Sequence, residues 1–202
     1  KNGKWKLINE FGDEIIKEEY EVVDNFYYSN LAAIKKDKNY GFVNKKGKVV
    51  IEPIYEYAYL FQEGLAAVQK DDKYGFINTN GDVVIDFLYD NAYLFHNGLV
   101  VVSKYGKYGV INKKGEVVID FKFKKTPYLR GGLLTVRKDH QSHYFNLNGK
   151  EISKDSYKVA GYFNTFDWKL TPGFNGGLGG IKIKNKYGFI NEKGKVVIEP
   201  IY

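Results

Sequence analysis

Four carboxylates, Glu52, Asp86, Asp120 and Glu199, recur at one position of a repeating pattern, and two histidines, His140 and His143, lie three residues apart. Paired carboxylates are the raw material of acid–base and glycosidic chemistry, and closely spaced histidines are the raw material of metal binding. Neither pattern carries its chemistry here. Each carboxylate follows a third strand, so together they form a row along a surface, and two further copies place Lys17 and Lys154 at the same position. A position that accepts either sign of charge is not holding a proton for catalysis. Ligands at i and i+3 point to opposite faces of a strand, and no third ligand accompanies His140 and His143. Gly176-Gly-Leu-Gly-Gly180 lacks both the following helix and the Lys-Ser/Thr of a phosphate cradle, and no nucleophile elbow or zincin motif is present. The expectation is a protein that is not an enzyme, with no cofactor and no metal.

The run from Ser153 to Trp168 holds a different set of groups: Tyr157, Tyr162, Phe163, Phe166 and Trp168 beside Asp167. Rings interleaved with small polar groups suit a carbohydrate or peptide platform, since aromatic faces supply contact area at low entropic cost. The competing reading is a lengthened connector whose rings fill a gap. This run is the best local candidate for ligand binding.

The elements that must position these groups are repeats. Tyr40-Gly-Phe-Val-Asn-Lys-Lys-Gly47 returns from Tyr74, from Tyr108 and from Tyr187, with a weaker copy at Trp5 and a degraded one at Ser142. Asn9, Asn44, Asn78, Asn112, Asn146 and Asn191 are spaced by 35, 34, 34, 34 and 45, and Leu31, Leu65, Leu99, Leu133 and Leu178 keep the same step. Two landmarks on one period define a tandem array. The last interval carries an insertion near 150–177.

Within a unit, residues 65–70 and 74–78 read as strands about a tight turn, Thr79-Asn-Gly81 as a second turn, and residues 82–86 as a third strand rich in β-branched residues. The aromatic segment that follows, through Tyr57 to Phe61, reads either as a connector or as a short fourth strand. Pro53 and Pro200 stand where a strand is expected to leave the ladder. The recurrent glycine after the aromatic implies a close approach to the backbone, expected from an aromatic ring. Tyr40, Tyr74, Tyr108 and Tyr187 are read as packing residues, the alternative being a ladder of rings lining a groove. We expect one repeat domain over residues 1–202, with five to six units, partial at both ends. The chain begins inside one repeat and stops inside another, so it is expected to be a slice of a longer array, and with no methionine it is expected to be a processed or excised piece.

Composition narrows the function classes. Aromatic residues make 17% of the chain, which favours pleated, half-buried strand surfaces. There is no cysteine, which suits export and cytosol equally; a cell-surface or secreted setting is favoured over the cytoplasm. No apolar run approaches the ~20 residues of a membrane helix. The net charge of +7 rests on lysine, with Arg130 and Arg137 the only arginines, so specific nucleic-acid reading is not expected. Seven lysines between Lys104 and Lys125 are read as solvated turns, or as a stripe for a polyanion.

The unit resembles the WG-repeat, or KWG-repeat, family on the strength of Gly64-Leu-Ala-Ala-Val68, Lys73-Tyr-Gly-Phe-Ile-Asn78, Gly81, Val83-Val-Ile85 and the prolines Pro53 and Pro200. Trp5 is followed by Lys6, and the fifth unit lacks the aromatic-glycine pair. The resemblance implies bacterial origin and a β-repeat scaffold, and implies no ligand. The expected fold is all-β, with three-stranded antiparallel meanders stacked as an open solenoid or superhelix, the alternative being a β-propeller. The expected function is a binding or scaffolding module for a protein or a cell-envelope glycan. The alternatives are a lysine-rich polyanion surface and an enzyme sited in residues 150–180.

Overall fold

In a computed structural model of the chain, the described residues are 8, 11, 12, 14, 20–23, 26, 29–130, 133–138, 141–152, 158–159, 178–183, 186–191 and 193–201. They belong to two compact units, Lys1–Tyr105 with Asn112–Glu116, and Gly106–Ile111 with Val117–Tyr202. Regular structure among them is entirely β, as the repeat pattern predicts.

The first unit contains two sheets of one design. β1 (Val22–Val23), β2 (Leu31–Lys36), β3 (Asn39–Asn44) and β4 (Val49–Tyr55) pair in that order, and so do β5 (Tyr57–Ala58), β6 (Leu65–Lys70), β7 (Lys73–Asn78) and β8 (Val83–Tyr89), all antiparallel. β9 (Asn91–Ala92) and β10 (Leu99–Lys104) open a third copy. The segment left open by sequence is therefore a fourth strand, but of only two residues. It pairs forward, Tyr57 opposite Gln69 and Ala58 opposite Val68, so each sheet takes its outer strand from the connector that precedes it.

In the second unit β11 (Lys107–Asn112) pairs with β12 (Val117–Phe123). β13 (Tyr128–Arg130), β14 (Leu133–Lys138) and β15 (Gln141–Asn146) form a three-stranded sheet, and β16 (Lys158–Val159), β17 (Leu178–Ile183), β18 (Lys186–Asn191) and β19 (Val196–Ile198) a four-stranded one. The degraded fifth copy thus still folds as a hairpin, with β14 and β15 in unbroken register.

Two recurrent residues close the second turn of each copy. The side-chain carbonyl of Asn78 accepts from the backbone N–H of Asn80 at 2.9 Å and of Asp82 at 3.0 Å, and Asn44, Asn112, Asn146 and Asn191 do the same in their own turns. The glycine three residues on takes a left-handed φ, +91° at Gly81, where any side chain is strained. Gly81 also lies against Ile51 of the neighbouring sheet, so the turn carries a packing duty as well.

The other recurrent glycine has a different cause. Gly75 faces a bulge, because Phe76 lies opposite Ile85 while Tyr74 lies opposite Tyr89. The extra residues of β8 push its backbone toward Gly75: a Cβ there would lie 2.7 Å from the Ile85 carbonyl oxygen and 3.1 Å from the Phe87 ring. Gly41, Gly109 and Gly188 face the carbonyls of Ile51, Ile119 and Ile198 in the same way. The expected close approach is present, but its first agent is the partner backbone, with a ring second. The bulge also carries Pro53 within β4, so the third strand continues through the proline where an exit was expected.

Packing is led by phenylalanine. Phe42 on β3 meets Phe61 at a centroid distance of 4.7 Å, and Phe76 on β7 meets Phe95 at 5.1 Å, both edge-on and all four rings fully buried. A polar latch supplements them. The Glu63 carboxylate accepts from the backbone N–H groups of Asn97 (2.7 Å) and Gly98 (2.9 Å) in the corresponding turn one repeat later, and pairs with Lys113 at 3.2 Å. Partial burial pushes this carboxyl up. The Gly98 N–H, Lys113 and the Asn97 N–H outweigh it, so its pKa lies below the ordinary value. A depressed carboxyl contributes stability above its unfolded pKa and loses it as pH falls through the folded pKa. Glu63→Gln is therefore expected to be less stable than the parent at pH 7, with the difference closing below about pH 4. Denaturant midpoints at the two pH values read this directly.

Candidate functional site

The alternation of a strand places Tyr40 and Phe42 on one face of β3, two residues or about 7 Å apart. Phe42 meets Phe61 in the core, while Tyr40 reaches the rim and meets Tyr57 of the next sheet at 5.3 Å. β7 repeats the arrangement, with Phe76 inside and Tyr74 outside, 6.5 Å from Tyr57 and 6.2 Å from Tyr59. Tyr57 and Tyr59 are themselves 5.1 Å apart and edge-on. The result is a contiguous group of four tyrosine rings, partly open to solvent, with Tyr57 39% exposed. The Lys35 ammonium caps one end, 5.5 Å from the Tyr40 ring.

Tyr93 adjoins the other end. Burial raises the Tyr59 phenol above its ordinary pKa, and Tyr57 and Tyr93 add to the rise; at Tyr74 burial again leads, followed by Tyr59 and Tyr57. These hydroxyls therefore stay protonated throughout the physiological range and can both donate and accept. The ladder alternative for Tyr40 and Tyr74 and the packing reading describe the same rings: each packs against Tyr57 and also presents a partly open surface.

In the second unit, Tyr108 holds on β11 the place that Tyr74 holds on β7. It lines a shallow depression of about 350 Å³ together with Lys124, Lys125, Thr126 and Tyr128. Tyr187 on β18 is 43% exposed, with the Lys182 ammonium 5.0 Å from its ring.

Glu52, Asp86, Asp120 and Glu199 are all exposed, following the inward Ile51, Ile85, Ile119 and the half-open Ile198. His143 donates a 2.6 Å hydrogen bond from Nδ1–H to the Glu151 carboxylate, and among the described residues no three acidic or histidine side chains cluster as metal ligands do. His140, Lys17 and Lys154 lie outside the described residues, as do all six of the insertion's candidates: Tyr157, Tyr162, Phe163, Phe166, Asp167 and Trp168. The signal that could have found Tyr57, Tyr59 and Tyr93 was the segment Tyr-Glu-Tyr-Ala-Tyr-Leu-Phe and its echo from Tyr89, tyrosine-rich beside a phenylalanine-rich core.

Among the described residues no helix is long and apolar enough to cross a membrane. None of the curated proteins matches the sequence. Solved structures do resemble the fold. Hsv2 of Kluyveromyces marxianus aligns over 94% of this chain and 66% of its own at a TM-score of 0.51 and 11% identity, and Hsv2 of Kluyveromyces lactis over 95% and 69% at 0.51 and 11%. A eukaryotic initiation factor aligns over 98% of this chain and 61% of its own, at 0.55 and 14%. This chain thus spans about two thirds or less of the length of several of the structures it resembles. Hsv2 is a β-propeller, and the four-stranded antiparallel sheet seen here is the unit of such a fold, so both fit the propeller alternative. The sequence itself matches the family described as WG containing repeat over residues 7–40, 40–74, 74–108, 108–139 and 187–202, leaving unmatched the degraded copy and the insertion; with the recurrent Tyr-Gly pair, the Asn-closed turn and the third-strand bulge accounted for, the chain belongs to the WG-repeat family.

Proposed function

We propose that this chain is a non-catalytic binding module that holds a glycan against the tyrosine cluster of its first unit. The observation carrying this reading is the cluster of rim tyrosines, Tyr40, Tyr57, Tyr59, Tyr74 and Tyr93, open or partly open to solvent beside a core that holds Phe42, Phe61, Phe76 and Phe95 together with Tyr55 and Tyr89. Phenols at the rim offer ring faces to the C–H surfaces of a sugar and hydrogen bonds to its hydroxyls, with few rotatable bonds to order. The repeat supports the same reading, since an array of equal units presents an extended surface suited to a polymer.

Isothermal titration with neutral oligosaccharides typical of cell envelopes, and with extended peptides, tests it. Tyr57→Ala and Tyr59→Ala are each expected to weaken oligosaccharide binding about tenfold. Trp168→Ala reports on the insertion in parallel. Peptide binding with inert oligosaccharides sinks the glycan reading and leaves a protein scaffold; sugar binding indifferent to both tyrosines removes the first-unit cluster as the site.

A further inference from the structure

The third strands β4, β8 and β12 end at Tyr55, Tyr89 and Phe123, and the next residues are Glu56, Asp90 and Lys124. In the first two copies the acidic residue has a structural task. Glu56 accepts from the backbone N–H groups of Asp71 and Asp72, each at 3.1 Å, and Asp90 pairs with Lys73 at 2.5 Å. In the third copy the charge is reversed and doubled by Lys125. Both lysines are exposed, and neither forms an ion pair among the described residues. They stand instead on the rim of the depression that Tyr108, Thr126 and Tyr128 complete, with Tyr128 65% exposed.

We infer that this depression is a binding site for an anionic saccharide, an acidic sugar whose carboxylate pairs with Lys124 and Lys125 while its ring lies against Tyr128. The two halves of the site call for different parts of one ligand. A pair of unneutralised ammonium groups draws an anion, and lysine serves as a point charge without demanding the planar fork of a guanidinium. The exposed Tyr128 ring beside them, with the half-buried Tyr108, favours a ligand with a C–H face over a bare ion. The Thr126 hydroxyl adds a donor and acceptor at the same rim. The depression is shallow and open, about 350 Å³, which suits a ligand lying across the surface rather than one enclosed in a cleft. The inference rests on the reading of this chain as a glycan binder but concerns separate residues in the second unit.

The test uses the whole chain and three probes: a defined oligogalacturonate, its methyl-esterified neutral counterpart and inorganic polyphosphate. Oligogalacturonate is expected to bind, with the ester at least about tenfold weaker. Lys124→Gln with Lys125→Gln should weaken the acidic probe by about tenfold, and Tyr128→Ala by about fivefold. All three side chains are exposed, so the variants fold. Equal binding of acid and ester, or an unchanged affinity in the double lysine variant, overturns the site. Polyphosphate binding as tight as oligogalacturonate, with Tyr128→Ala silent, reduces it to an ionic surface and overturns the saccharide assignment. Tyr57→Ala and Tyr59→Ala separate the two ideas: loss of neutral sugar there with no effect of the lysines leaves the first-unit reading standing alone.

Discussion

Gly75→Ala is expected to destabilise the first unit by about 1–3 kcal/mol, the usual cost of overpacking. The added Cβ meets main-chain atoms, the Ile85 carbonyl oxygen at 2.7 Å and the Asp86 carbonyl carbon at 3.1 Å, and neither can rotate away as a side chain would. Relief requires the bulge of β8 to open, which also displaces Phe87 from its 3.1 Å approach. The loss should appear as a fall in Tm of roughly 2–4 °C per kcal/mol for a chain of this size. Gly64→Ala separates space from backbone conformation. Nothing lies within 4 Å of a Cβ there, but its φ is +87°, so any cost is conformational. A Gly75→Ala variant as stable as the parent would show that the bulge is not the reason for the recurrent glycine.

Phe95→Ala is expected to cost more, about 3–5 kcal/mol. Phe95 is 1% exposed and packs edge-on against the equally buried Phe76, so truncation leaves a ring-sized cavity and removes the aromatic pair. The residue lies in the connector beyond β9, so the measurement also tests whether these segments are core rather than surface loop. Phe95→Leu, which fills most of the volume, should recover the greater part of the loss. Urea midpoints give both values, and an alanine variant within about 1 kcal/mol of the parent would place the connector outside the core.

Much of this architecture was legible because it is local. The period, the hairpins and the Asn-Gly turns are set by residues within a few positions of one another, as when Asn78 bonds to Asn80 and Asp82. The short strand Tyr57–Ala58 was not, because two residues show no alternation and their partners, Gln69 and Val68, lie ten or more positions away. The passage of β4 through Pro53 was hidden for a related reason: the bulge that tolerates the proline is a property of the pair of strands, not of either one. The candidate site divides in the same manner. Alternation puts Tyr40 and Phe42 on one face but cannot say which is at the rim, so a ring in contact with Tyr57 and a ring in the core read alike. The charge reversal at Lys124 was visible as part of a basic stretch. Its meaning depends on what Glu56 and Asp90 bind in the other copies, which only the fold reveals.

The forward pairing of the two-residue strand also fixes how such an array can be cut and joined. The repeat seen by eye runs from one Tyr-Gly pair to the next, and a breakpoint there splits a hairpin. A breakpoint at Leu65 or Leu99 spares the hairpin but orphans the strand supplied by the preceding connector. A cassette from Glu56 through Tyr89 carries one whole sheet, with β5 to β8 intact, and cuts through no strand at either end. Arrays lengthened or shortened in multiples of that cassette keep every ladder paired, whereas recombination at other phases leaves donor and acceptor sheets each to be completed by a foreign connector.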